Sequence, residues 1–153
     1  MSRPSADQSF MEMAHLVAKR TTCTRRGVGA VLVSPSGHVL ATGRNGPPRG
    51  VPHADEVGCL RTKLGIPSGE QPELCRGLHA EANAIIQVAR EGGSTVGAQL
   101  YVTNQPCGAC AKMIVQAGII EVIYSESYPD EMGSKMLAEG GVSVRRYQLG
   151  AQL

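Results

Sequence analysis

The chain has 153 residues, 42% of them apolar and 18% charged, with a formal net charge of +2. That composition fits one globular domain over residues 1–153 and excludes a disordered or fibrous chain. No apolar run approaches the ~20 residues of a membrane span, and four Tyr, one Phe and no Trp beside so small a charge argue against a nucleic-acid partner, which needs a basic groove and stacking rings.

Residues 7–19 place Phe10, Met13, Ala14, Val17 and Ala18 at helical spacing, which predicts an amphipathic first helix. Residues 27–33 (GVGAVLV) read as a buried strand, Ser34-Pro35-Ser36-Gly37 as a turn and residues 38–43 as a second strand, together a hairpin. The stretch from Arg44 to Arg76 is rich in Gly and Pro and has no sustained period. An irregular insert of that length, about 44–78, inside a small domain is functional or is pinned by something other than a core. Regularity returns with a helix over 80–89, a strand over 99–103 and a helix over 107–117 that stops at Gly118. A strand over 119–124, a helix over 130–138 and a last strand over 142–147 complete the chain. The order α-β-β-α-β-α-β-α-β predicts an α/β fold: five strands in a sheet with a parallel portion, covered by helices on both faces. The first residues, Met1-Ser2-Arg3-Pro4-Ser5, lack the apolar core of a signal peptide, so the cytoplasm is the expected location.

The five cysteines are an odd count in a chain that reads as cytosolic, which points away from a disulfide framework and toward metal ligation, catalysis or core packing. Cys107 and Cys110 stand three apart at a predicted helix start, after Pro106, and so leave one face of that helix. The exposed N–H groups and positive dipole end of a helix N-terminus favour thiolate over thiol. His79 opens the preceding helix and supplies a third ligand. Three protein ligands leave the fourth position of a tetrahedral zinc open, which is the catalytic arrangement. Glu81, two residues after His79, is placed to move protons without binding the metal, and zinc lowers the pKa of its water to about 7.

The pattern His79-Ala80-Glu81, a strand, then Pro106-Cys107-Gly108-Ala109-Cys110 resembles the H-x-E and P-C-x-x-C signature of zinc nucleobase deaminases. The likeness extends to residues 22–31 (TCTRRGVGAV), Gly43-Arg44-Asn45-Gly46, residues 75–81 (CRGLHAE) and residues 101–107 (YVTNQPC). Over approximately residues 9–144 the chain is similar to deoxycytidylate (dCMP) deaminases, especially the bacterial and phage type related to the competence-operon deaminase. The resemblance implies a three-layer α/β/α cytidine deaminase-like fold and a five-stranded mixed sheet. It also implies hydrolysis of dCMP to dUMP and ammonia, which feeds dTMP synthesis, and a homo-oligomer, in many members a hexamer. Carried onto this chain, His79, Cys107 and Cys110 hold the catalytic zinc and Glu81 shuttles protons. Asn45 contacts the sugar, and the Ala80 backbone amide faces the pyrimidine carbonyl. Arg26 is placed for the 5′-phosphate, since a guanidinium binds two phosphate oxygens at once, with an ordinary surface arginine as the alternative. Tyr128 falls at a family tyrosine near the site, or serves packing. Activation by dCTP with magnesium and inhibition by dTTP also belong to many members. Here Arg44 replaces the tyrosine of the usual G-Y-N-G, which puts that regulation in doubt.

Cys23, His53, Cys59 and Cys75 remain. Some members of the family bind a second zinc at such positions, and the four make a closed Cys₃His set of the structural kind. A Gly/Pro-rich insert with few apolar residues gains folding free energy from a metal that packing does not supply. The alternative is that Cys59 and Cys75 are buried small apolar residues and His53 a solvated loop histidine.

The zinc machinery alone also serves enzymes that act on a tRNA adenosine, a free base or a nucleoside. Scarce basic and aromatic residues speak against tRNA, and His79 in place of the cysteine of a C-A-E pattern speaks against the nucleoside enzymes. A reading from another class is a non-catalytic, zinc-stabilised interaction module, against which the intact Glu81 argues.

Overall fold

The computed structural model describes residues 2–150. Helix α1 (Ala6–Ala18) begins where the Ser5 hydroxyl accepts the Gln8 N–H at 3.1 Å, a cap that satisfies one of the orphaned first-turn donors. Strands β1 (Gly29–Val33) and β2 (Val39–Arg44) form the expected hairpin. The insert contains two four-residue helices, α2 (Ala54–Val57) and α3 (Leu60–Lys63), and a 3-10 turn, Pro72–Leu74. No apolar period marks these; α2 starts at a His53–Glu56 capping box. The chain continues through α4 (Ala80–Arg90), β3 (Gln99–Asn104), α5 (Gly108–Gln116), β4 (Glu121–Glu126), α6 (Glu131–Glu139) and β5 (Ser143–Arg146). The fourth strand starts two residues later than its apolar run, because Ile119 is already in the core before sheet pairing begins.

The sheet runs β2-β1-β3-β4-β5. Strand β1 is antiparallel to both neighbours, and β3, β4 and β5 are parallel, which makes the sheet mixed. Alternate residues serve opposite faces. Ala30, Leu32, Leu100, Val102 and Val122 pack with Ala84 and Val88 of α4, Ile114 of α5 and Leu137 of α6. Val31, Val33, Tyr101 and Ile123 pack with Met11 and Ala14 of α1. Three helices therefore cover one face and α1 the other, giving the expected three layers. Among the described residues, no helix is long and apolar enough to cross a membrane.

Two features of this fold place the residues of the H-A-E and P-C-G-A-C segments. Both the α4 start and the α5 start lie at the end of the sheet where parallel strands deliver their loops, the usual place for a site in an open α/β sheet. Gly43 on β2 leaves no room for a side chain, since a Cβ there would strike the Ala80 carbonyl oxygen. A glycine at that point lets the N-terminus of α4 rest on the hairpin.

Candidate active site

His79 and Cys107 are the N-cap residues of α4 and α5, and Cys110 lies in the first turn of α5. The His79 Nδ1 atom is 3.4 Å from Cys107 Sγ and 3.3 Å from Cys110 Sγ, and the three atoms lie within 4.8 Å of one another. A tetrahedral zinc with bonds of ~2.3 Å to sulfur and ~2.0–2.1 Å to nitrogen sets its N and S ligands about 3.6 Å apart. The residues present therefore fit zinc, through Nδ1 of His79. Cys110 is fully buried, Cys107 half-buried and His79 exposed at the mouth, so the set is open on one side.

The three side chains shift one another's proton affinities. A hydrogen bond from Cys110 holds the Cys107 thiol down to about 4, against burial and with help from His79. Cys110, the donor in that bond and itself buried, moves up. The same thiolate raises the pKa of His79. Glu81, in the first turn of α4, is 5% exposed, and burial pushes its carboxyl upward despite the pull of His79. A carboxyl poised above its ordinary range gives up and recovers a proton readily, the property that general acid–base catalysis requires.

His79, Glu81 and Cys107 line a cavity of about 680 Å³, with Cys110 buried behind them, a size suited to a small ligand. Arg25, Arg26, Arg61, Arg76 and Lys112 line it, against the carboxyls of Glu73, Glu81 and Asp130. Composition alone hid this local excess of positive charge. The Arg26 guanidinium sits 5.1 Å from the centre of the Tyr128 ring, a cation–π contact, and both residues border the cavity. Ala80 is the first residue of α4, so its N–H is one of the first-turn donors with no partner in the helix.

Asn45 is committed mainly to the protein. Its Oδ1 accepts the Val28 N–H at 2.9 Å and the Thr21 hydroxyl at 2.7 Å, and its Nδ2 donates to the Arg26 carbonyl at 2.7 Å. One N–H of its four hydrogen-bonding positions is left for a ligand.

The second set is not assembled. No three of Cys23, His53, Cys59 and Cys75 form a metal-sized group among the described residues. Each with a clear contact has a separate local partner: His53 Nδ1 lies 2.6 Å from the Thr22 hydroxyl, and Cys75 Sγ accepts the Gly77 N–H at 3.4 Å. The Cys59 thiol is lowered mainly by the Thr62 side chain. All three cysteines are half-buried, so they are not core residues either.

Several residues of the site escape sequence reasoning. Gln105 accepts the Tyr128 N–H at 3.3 Å and donates to the Ser134 hydroxyl at 3.0 Å. Asp130 bonds to the start of α5. The only sequence signal was the capping position of Asp130, which says nothing of a second helix.

The family model described as the cytidine and deoxycytidylate deaminase zinc-binding region matches residues 4–126, a span that includes His79, Glu81, Cys107 and Cys110. The chain belongs to this family. Among the deaminase family's curated members, the deoxycytidylate deaminase of Schizosaccharomyces pombe is 44% identical over 148 residues, which are 95% of this chain and 45% of that one. ComE operon protein 2 of Bacillus subtilis is 39% identical over 150 residues, 97% of this chain and 75% of that one. The dCMP deaminase of cyanophage S-TIM5, in complex with dCMP and dUMP, matches in structure with a TM-score of 0.79 and 32% identity, covering 96% of this chain and 100% of that one. The chain spans about half the length of the yeast relatives that it matches.

Proposed function

We propose that the chain hydrolyses dCMP to dUMP and ammonia. The observation that carries this reading is the open His79–Cys107–Cys110 set beside the buried Glu81, in a cavity whose walls carry five cationic side chains. Support for the nucleotide comes from those cations, which favour a substrate with a phosphate over a free base or nucleoside, and from the relatives named for dCMP deamination.

Zinc, when bound, supplies Lewis acidity that makes a water nucleophilic near neutral pH. The rest falls to the chain's own groups. His79, Cys107 and Cys110 hold the metal and leave one side open to the cavity. Glu81 takes a proton as the water oxygen attacks C4 of the cytosine ring and passes it to N3. It takes the second proton of the former water and gives it to the amino group, which leaves as ammonia while the C4 carbonyl of dUMP forms. Burial of Glu81 keeps bulk water from competing for these protons. The Ala80 N–H is directed at the pyrimidine carbonyl, the remaining Asn45 N–H at the sugar and Arg26, held by the Tyr128 ring, at the 5′-phosphate.

A second zinc on Cys23, His53, Cys59 and Cys75 is part of the same reading. Its support is that Cys23, Cys59 and Cys75 line one cavity and that Ile66 is the only buried residue in 47–78. Binding there draws the thiols away from their present partners. A homo-oligomer, a dCTP effector with magnesium, a dTTP inhibitor and a cytoplasmic location complete the proposal. Of these, regulation has the least support, because Arg44 stands where the family pattern has tyrosine.

The deciding experiment follows ultraviolet absorbance with the zinc-loaded chain and dCMP, CMP, deoxycytidine and cytosine in turn. Turnover of dCMP well above the other three is expected. Turnover of none sinks the enzyme, and a preference for deoxycytidine or cytosine sinks the nucleotide.

A further inference from the structure

Asp130 caps α6 in the ordinary way, with Oδ1 accepting the Gly133 N–H at 2.9 Å. Its other oxygen does something a cap does not require. Oδ2 accepts the N–H of Gly108 at 3.0 Å, and Gly108 is the first residue of α5, next to the metal ligand Cys107. One carboxylate thus joins two helix starts, each through its own oxygen. The two starts also touch directly: a Cβ on Gly133 would lie 2.8 Å from the Pro106 carbonyl oxygen and 3.2 Å from the Cys107 carbonyl carbon. The backbone that carries Cys107 is therefore held from one side by a charge-assisted hydrogen bond and by close contact with α6.

We propose that Asp130 is a positioning residue for the metal centre. It fixes the start of α5, and with it Cys107 Sγ, relative to His79 Nδ1 and Cys110 Sγ. The separation of those atoms decides how well a tetrahedral ion is held, and groups outside the ligands that orient them influence metal affinity by about 10-fold or more. This inference rests on the zinc reading of His79, Cys107 and Cys110 and is independent of the substrate.

The two oxygens make the proposal separable from simple helix capping. Serine and asparagine are as good at an N-cap as aspartate, so Asp130→Ser and Asp130→Asn keep the Gly133 bond. Serine is too short, and asparagine has too few acceptor oxygens, to keep the Gly108 bond as well. The experiment loads the full chain with cobalt(II) in place of zinc, records the visible spectrum and measures zinc affinity by chelator competition. In both variants a shifted cobalt spectrum and roughly 10-fold weaker zinc binding are expected, while the metal-free chain still folds cooperatively, at a Tm lowered by a few degrees at most. Gly133→Ala, which pushes on the Cys107 backbone from the same side, is expected to shift the spectrum as well. Ser5→Ala removes the α1 cap instead, and it should lower stability with the spectrum unchanged. Wild-type spectrum and zinc affinity in the Asp130 variants would overturn the proposal. So would loss of folding in both, since that makes the residue a structural cap alone. A wild-type chain that takes up no metal ends the zinc reading and this proposal together. A chain that binds cobalt yet leaves dCMP untouched ends only the substrate reading, and the spectra still decide on Asp130.

Discussion

Arg145 on β5 gives Asp7 in the first turn of α1 two hydrogen bonds, of 2.7 and 2.8 Å, across 138 residues of sequence. The Tyr101 hydroxyl of β3 donates to the same carboxylate at 2.8 Å, and Glu121 of β4 accepts from Arg145 at 3.4 Å. The cluster ties α1 to three strands on the face of the sheet away from His79, Cys107 and Cys110.

The Arg145 hydrogen bond, against burial, holds the Asp7 carboxyl below its ordinary 3.8. A carboxyl with a lowered folded-state pKa contributes stability that is complete above its unfolded pKa and is lost as pH falls through the folded one. Asp7→Asn is expected to cost about 1–2 kcal/mol at pH 7, allowing for partial exposure of the pair. That corresponds to a fall in Tm of roughly 3–6 °C. The gap between wild type and variant should close below about pH 4, which urea unfolding across pH checks. An undiminished gap at pH 3 would assign the loss to packing instead.

Glu81→Gln keeps the shape of a buried side chain but cannot carry the proton. Activity is expected to fall by about 10²–10⁴-fold, with one zinc still present by metal analysis at the catalytic site. Comparable activity in the variant would place proton transfer on another group.

Arg26→Ala separates the phosphate from the base. Loss of one charge-assisted contact of about 1.5–3 kcal/mol predicts roughly a 10–100-fold drop in kcat/KM for dCMP. Deoxycytidine, which has no phosphate, should turn over as slowly as before. An equal drop for both substrates would show that Arg26 acts on the fold of the loop, through its contact with the Tyr128 ring.

Metal content tests both zinc sets. Wild type is expected to carry two zincs per chain. Cys110→Ser should lose the catalytic one with all activity, and Cys59→Ser the other with activity retained until the insert loosens. A single zinc in wild type, unchanged by Cys59→Ser, would remove the second site. Prolonged chelation should abolish turnover, and added zinc should restore it.

Much of this was legible locally. The continuous apolar run at 29–33 and the helical spacing within residues 7–19 are written within single elements, because a strand covered on both faces and a helix covered on one each leave their own pattern. The H-A-E and P-C-G-A-C segments state their chemistry in a few adjacent residues, since a helix start orients the ligands around it. The insert was legible only as irregular, because capping contacts such as His53–Glu56 leave no period to read.

By itself, then, the sequence pointed to the order of the regular elements outside the insert, to an α/β fold, and to His79, Glu81, Cys107 and Cys110 as a metal and proton-transfer set, all from patterns carried within short segments. Only the tertiary structure decided what stands opposite each of them. It directs His79 Nδ1 toward the thiols, spends three of the four bonds of Asn45 on the protein, leaves Cys23, His53, Cys59 and Cys75 apart and gathers the arginines around one cavity. It also sets Asp130 against Gly108 and Asp7 against Arg145. Hydrophobic period records which face of an element is covered; the identity of the covering side chain depends on crossings between distant segments, and no spacing along the chain encodes those.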